Sequence, residues 1–433
     1  MTATGTTDRG LARSGASIAV ATFASGILGY VYIVVLTRAL GPERYGELGA
    51  LLGLSVVLAV TSTGIQLEAT RAMALNPAGA IGWLLRRTAL VSLATTGVGV
   101  VAAPAVVHLL HLSSWWPAFG LAAVLLPQTY VGGQLGILLG SGRHIAFAVL
   151  LALSAASRTL AAVVTAIVGG GPNFALWATA VTAVAVNIVG AVLLRGGDRL
   201  DGIAGPVDAE HQWVAGSEST IDVGLIDTAE GASDNDGRPG WSGLLRASIG
   251  SGALLALLNA DLLLARAVLP ATASGWYAFL TLFARVTFWG TNFIALWVFP
   301  HVAARSASGR AVRLALAAVA GVGALAIVVT WIFDTELTAA LAGSAYAEAA
   351  PYAPAFAAAG MLLAVVQLVT YVDVARARHT FSVVVWVAVI VVGLAIRFIA
   401  PATVGGIIAT TITVLAVLSL AGLVTLLAGE RLS

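Results

Sequence analysis

The chain is a succession of long apolar runs separated by short turns that are polar or rich in glycine and proline. A membrane-crossing helix needs roughly 20 mainly apolar residues, and twelve runs meet that requirement: 14–37, 47–70, 88–111, 116–140, 145–168, 174–194, 244–269, 275–300, 311–333, 352–374, 380–399 and 403–427. The first run follows Arg9 and Arg13 as a signal peptide would. It is longer than the roughly 7–15-residue apolar segment of a signal peptide, so it reads as a retained first helix.

The pattern repeats. Ala247-Ser248-Ile249 restates Ala16-Ser17-Ile18, and Arg266-Ala-Val-Leu-Pro270 with Gly275-Trp-Tyr277 restates Arg38-Ala-Leu-Gly-Pro42 with Arg44-Tyr-Gly46. Ser141-Gly-Arg143-His144 closes the fourth run as Arg376-Ala-Arg378-His379 closes the tenth, each followed by an aromatic residue, Phe147 or Phe381. Two halves of six spans each share one orientation and are parallel repeats about an axis along the membrane normal. The expected organisation is an N-terminal six-helix bundle (1–195), a cytoplasmic linker (196–241) and a C-terminal six-helix bundle (242–433).

Composition sharpens this to an all-α integral membrane protein. Of 433 residues, 59% are hydrophobic and 10% charged, against about 25% charged in a soluble domain. All 22 basic side chains are arginine, and there is no cysteine, which excludes disulfides and thiolate metal sites. The arginines are spread along the span edges rather than clustered, so the net charge of +2 does not point to nucleic acid.

With the N-terminus in the cytoplasm, sixteen arginines fall in inner segments and four (Arg38, Arg44, Arg266 and Arg397) in outer ones. That asymmetry satisfies the positive-inside rule, and the even span count brings the C-terminus back inside. The outer loops are expected to be short. The one long connection, 196–241, holds ten of the twenty acids, and its composition cannot bury enough apolar surface to order itself. Asp234-Asn-Asp236-Gly237 within it shares part of a calcium-loop pattern but lacks the closing bidentate glutamate, which makes it an acidic turn.

Arg285 and Arg158 fall inside the eighth and fifth spans, each roughly 15 Å or more from a span end at helical rise. Intramembrane ionisable groups mark either a pathway or a buried pair. Arginine is always charged, and its planar fork suits phosphate. Two mid-span arginines fit an anionic substrate such as a lipid pyrophosphate; alternatively, each holds its bundle together by pairing internally. Arg285, Arg158 and Asn259 are the candidate substrate-contacting residues. Asp261 is either a proton or sodium site coupled to transport or a counter-charge to Arg266 or Arg285. Asp373 is expected to pair locally with Arg376 or Arg378, and Glu68 with Arg71. His108 and His111 are two ligands short of a zinc site and read as interfacial polar residues. No P-loop, dinucleotide fingerprint or nucleophile elbow is present, so no cofactor, resident metal or enzymatic activity is expected beyond coupling to Na+ or H+.

Several motifs, in order and spacing, resemble Wzx-type polysaccharide flippases of the MOP superfamily, which also contains the MATE exporters and lipid II flippases. Thr37-Arg38-Ala-Leu-Gly41-Pro-Glu-Arg-Tyr45-Gly46 resembles the loop after their first helix. Asp261-Leu-Leu-Leu-Ala-Arg266, Gly275-Trp-Tyr277-Ala and Val298-Phe-Pro300 resemble their seventh and eighth helices, and Leu341-Ala-Gly-Ser-Ala-Tyr346 through Pro351 to Arg378 resembles the ninth-to-tenth loop and tenth helix. The resemblance covers 10–200 and 242–430. It implies two six-helix bundles in a V around an alternately open cavity. The implied activity is moving a polyprenyl-pyrophosphate-linked oligosaccharide or related glycolipid to the outer leaflet of the cytoplasmic membrane. The implied partners are this anionic lipid-linked glycan, membrane lipids and other polysaccharide-assembly membrane proteins.

A cation-coupled drug exporter of the MATE type is the competing reading, with Asp261 and Asp373 as its carboxylates. Their axial separation of about 15 Å or more does not favour one shared ion site. A porter of the major facilitator class would carry a basic Gly/Asp/Arg signature that 71–87 lacks. A membrane glycosyltransferase would need acids or domains outside, where the first loop offers only Glu43 and Glu47.

Overall fold

The computed structural model describes residues 4–75, 77–196, 241–303, 309–375 and 380–430. The 196–241 linker and Asp234–Gly237 lie almost entirely outside the described residues, as do Arg376 and Arg378. The described chain is helical throughout: α1 (Thr4–Leu58), α2 (Val60–Leu75), α3 (Pro77–Leu109), α4 (Trp116–Gly140), α5 (His144–Val168), α6 (Pro172–Arg195), α7 (Trp241–Val268), α8 (Ala271–Ala303), α9 (Gly309–Ile332), α10 (Asp334–Ala342), α11 (Ala353–Ala375), α12 (Thr380–Phe398) and α13 (Val404–Glu430). With no water in the bilayer core, helices satisfy their own backbone hydrogen bonds, which is why long apolar runs fold this way.

Among the described residues, nine helical stretches are long and apolar enough to span a membrane. One of them, Ser17–Leu75, is 59 residues long and makes two crossings, because Gly41 (φ 69°, ψ 173°) breaks the helix ahead of Pro42. With α7 and α8, each long enough to cross, the crossings number twelve and match the twelve apolar runs.

Two expectations about loops need correction. The 38–46 loop is not a loop: helix continues on both sides of Gly41, whose positive φ ahead of Pro42 breaks it at a single residue. The connection between α9 and α11, read as a loop, is also helical. It folds as α10 and a 3-10 helix, Ser344–Tyr352, that buries Tyr346 completely.

By contacts the chain divides into two units: Met1–Ala39, Leu58–Val107 and Ser113–Ser251 in the first, and Leu40–Val57, His108–Leu112 and Gly252–Ser433 in the second. This division cuts across the sequence halves. Leu40–Val57 and the turn after α3 belong with the C-terminal half, and a one-residue break at Ala59 separates α1 from α2 beside the boundary.

In the first unit α4 is the central helix, with most of its residues buried. Gly132, Gly136 and Gly140 recur every fourth residue and let α2 approach backbone to backbone. A Cβ on Gly136 would lie 2.3 Å from the Gln66 carbonyl oxygen, and one on Gly140 2.3 Å from that of Thr70. Membrane helices associate through such close packing rather than through the hydrophobic effect. Ser62 Oγ donates to the Gln128 carbonyl at 3.0 Å and Thr70 Oγ1 to the Gly136 carbonyl at 3.3 Å across this interface. Ser25 and Thr159 join α1 and α5 through the carbonyls of Leu151 and Leu28.

Glu68 does not pair with Arg71. Its Oε1 lies 2.9 Å from Arg87 Nε on α3, with the donor poorly aligned, so the contact is ionic rather than a formed hydrogen bond. Arg87 also lies over the Trp83 ring, 5.7 Å from its centroid.

In the second unit α11 takes the central place and packs against α8, α9 and α13. Gly360 lets it meet α8, where a Cβ would lie 2.2 Å from the Ala284 carbonyl oxygen. Tyr277, on α8, packs edge-on against Phe356 of α11 with ring centroids 4.8 Å apart. The 40–57 part of α1 meets α8 where Gly46 faces Gly275, and a Cβ on Gly275 would collide with the Pro42 carbonyl oxygen.

Two predictions follow from these contacts. Gly136→Leu must push α2 off α4 against backbone atoms that cannot yield, and is expected to cost at least about 3 kcal/mol; a thermal midpoint in detergent unchanged from wild type would contradict the packing described. Arg87→Ala strands a buried carboxylate and is expected to destabilise by about 3–5 kcal/mol, whereas Glu68→Met with Arg87→Met together recovers most of that loss. A double variant no more stable than Arg87→Ala would show that the pair is not the source of the effect.

Candidate anion site in the second unit

The site is built on two antiparallel neighbours, α7 and α8, whose connection is the short Leu269-Pro270 turn. Asn259 lies on α7 and is fully buried. Its Nδ2 donates to the Leu255 carbonyl at 2.9 Å, which leaves Oδ1 to face α8. There Arg285 Nη2 donates to Oδ1 at 2.7 Å. Gly53, in the 40–57 part of α1, lies against the same oxygen: a Cβ at that position would lie 3.3 Å from it. Arg285 sits near the middle of α8 and is half-buried.

Asp261 is buried and does not pair with Arg266. Its Oδ2 accepts the Tyr277 hydroxyl at 2.7 Å, and its Oδ1 accepts the Leu262 N–H at 2.8 Å. The Tyr277 hydroxyl thus ties α8 to α7 through Asp261. Arg285 and Asp261 are not within ion-pair distance of each other.

Arg266 directs all three of its nitrogens to oxygen. Its Nε donates to the Leu110 carbonyl at 3.0 Å, Nη2 to the His111 carbonyl at 3.1 Å and Nη1 to Ser274 Oγ at 3.0 Å, and Glu47 contributes an opposite charge nearby. His111 presents its carbonyl from a left-handed conformation (φ 47°). Its role is thus played by its backbone, and among the described residues no group of three or more His, Cys, Asp or Glu could hold a metal.

Arg285, Asn259 and Asp261 come together in the second unit. Arg158 is part of the first unit, half-buried on α5. Asp373 accepts the Phe381 N–H at 3.0 Å and so caps the start of α12. Reading the sequence by residue type singled out the charged members but missed Tyr277, Ser274 and the backbone acceptors of Arg266. Hydroxyls and carbonyls carry no distinctive signal in an apolar run. The hint available for Tyr277 was its place in a repeated motif, four turns from Asp261 across a proline turn.

No family model matches the chain, and no curated protein matches it. Solved structures do. One is a multidrug resistance MATE family transporter of the MOP superfamily in an outward-facing conformation, at 13% identity, covering 99% of this chain and 97% of that one, with a TM-score of 0.56. Another is the lipid II flippase MurJ in an inward closed conformation, at 10% identity, covering 94% and 87%, with a TM-score of 0.66. A third is a MOP superfamily transporter from Pyrococcus furiosus, described by the reverse polarity of its binding pocket as suggesting a different function, at 13% identity, covering 99% and 96%, with a TM-score of 0.57. At these identities the likeness is one of fold. The chain is a multi-pass, all-helical membrane protein with the twelve-helix fold of the MOP-superfamily transporters.

Proposed function

We propose that this protein moves an anionic lipid-linked glycan, a polyprenyl-pyrophosphate-linked oligosaccharide or related glycolipid, across the cytoplasmic membrane by alternating access. The observation that carries the proposal is Arg285: a permanently charged, half-buried side chain in mid-helix, held by a neutral amide at 2.7 Å rather than by a carboxylate. A charge kept at such depth without an ion pair is costly unless a ligand uses it, and a guanidinium suits the oxygens of a pyrophosphate. The lipid II flippase among the similar folds supports a lipid-linked cargo. Arg158, on the first unit, is a second candidate contact for the same anion.

A cation-coupled exporter of the MATE type is the alternative that the fold supports equally. Asp261 would be its coupling carboxylate. Its two oxygens are occupied by the Tyr277 hydroxyl and the Leu262 N–H, which favours an internal role over ion binding. The proposed orientation has both termini in the cytoplasm, with arginine-rich segments inside and with other polysaccharide-assembly proteins as partners.

In cells lacking the protein, the lipid-linked glycan pool is expected to build up in the inner leaflet. Wild type should relieve the build-up, and Arg285→Ala should reduce the relief at least about tenfold while inserting normally. An unchanged pool with new sensitivity to cationic drugs would instead favour the exporter. The orientation is open to a direct test because the chain has no cysteine. A membrane-impermeant maleimide is expected to label Ala402→Cys in intact cells, and Ser141→Cys only after permeabilisation. The opposite pattern would invert the topology.

A further inference from the structure

The described arginines buried within the helices are satisfied in different ways, and the differences are chemical. Arg87 faces a carboxylate, so its charge is cancelled. Arg266 engages each of its three nitrogens, on two carbonyls and a hydroxyl, with Glu47 near. Arg285 makes one hydrogen bond among the described residues, to Asn259 Oδ1, and no carboxylate there reaches ion-pair distance. Asp261, the acid nearest by sequence to that contact, is turned to Tyr277 and to the backbone of Leu262.

Asn259 is in turn rigid. It is fully buried, its Nδ2 is fixed on the Leu255 carbonyl, and Gly53 leaves just enough room for its oxygen. An amide can fix a guanidinium's direction as a carboxylate would, but it leaves the positive charge in place. Resting on the anionic-substrate reading above, we propose that Asn259 is a positioning residue that aims Arg285 while keeping its charge uncancelled, and that substrate contacts Arg285 rather than Asn259. The remaining guanidinium edge is then offered to the anion in one orientation. Asn259 itself has its oxygen and one amide hydrogen committed to the protein.

The proposal makes an inverted prediction about two substitutions. Asn259→Asp keeps the hydrogen bond and cancels the charge; Asn259→Ala removes the hydrogen bond and keeps the charge. If Asn259 only braced α7 against α8, the alanine variant would be the more damaged of the two. If it preserves the charge of Arg285, the aspartate variant is.

The test is binding of geranyl pyrophosphate to the purified full-length protein in detergent, with geraniol as the uncharged control and size-exclusion profiles to establish folding. Wild type is expected to bind the pyrophosphate and not the alcohol, Asn259→Asp to weaken binding by about tenfold or more, and Asn259→Ala to weaken it less. Asn259→Ala as weak as or weaker than Asn259→Asp, with both folded, overturns the proposal and leaves the anion reading intact. If wild type fails to distinguish pyrophosphate from alcohol, the anion reading fails and the proposal with it. Should Asn259→Asp not fold, Asn259→Ser, which keeps a neutral acceptor, decides: binding within about threefold of wild type supports the proposal, and a loss equal to that of Arg285→Ala overturns it.

Discussion

A guanidinium cannot shed its charge in a bilayer, so the protein must bring oxygen to it, and the Arg266 site is where that constraint shapes the second unit. Its three hydrogen bonds end on Leu110, His111 and Ser274, and Glu47 supplies an opposite charge. These residues come from the turn after α3, the start of α8 and the 40–57 part of α1. One side chain on α7 therefore gathers segments that lie far apart in sequence. The backbone approach of Gly46 to Gly275 becomes possible in the same place. Leu40–Val57 and His108–Leu112 consequently group with the C-terminal half although their flanking helices do not.

Packing elsewhere follows from the same absence of water. Lipid is as apolar as leucine, so apolar area gives little reason for one helix to prefer another over the bilayer. Close backbone approach and buried hydroxyl-to-carbonyl bonds supply the specificity. In the first unit α4 meets α2 on a glycine ridge with Ser62 and Thr70 alongside, and in the second α11 meets α8 at Gly360. These are the fourth and tenth crossings, and both are largely buried.

Against that background the α7–α8 pair is unusual in the way it matches charge. Burying an arginine next to a carboxylate gives a neutral unit, as Glu68 and Arg87 do. Asn259 and Arg285 form a unit with a net positive charge, while the nearby carboxylate of Asp261 is committed to Tyr277. Selection for stability alone would favour the neutral arrangement. The charged one keeps the guanidinium positive, which is the property that the anion proposal requires.

The sequence by itself determined the class and the number of crossings, and its repeated motifs raised the expectation of a duplication. Run length against bilayer thickness leaves little freedom, and repeated motifs such as Arg38 to Pro42 and Arg266 to Pro270 survive as short linear patterns. It also picked out Asn259, Asp261 and Arg285, because polar residues stand out within apolar runs. Only the tertiary structure decided which of them meet. Asp261 had Arg266 five residues ahead and Arg285 on the next helix, and took neither as an ion pair; Glu68 passed over Arg71 for Arg87. The reason is geometric. A partner across a helix pair is set by the rotation and depth of both helices, and the acceptors that won at Arg266 are backbone carbonyls that every residue carries. The grouping of the 40–57 part of α1 with α8 was hidden for the same reason, since it depends on where two glycines face each other and not on how many glycines the chain contains.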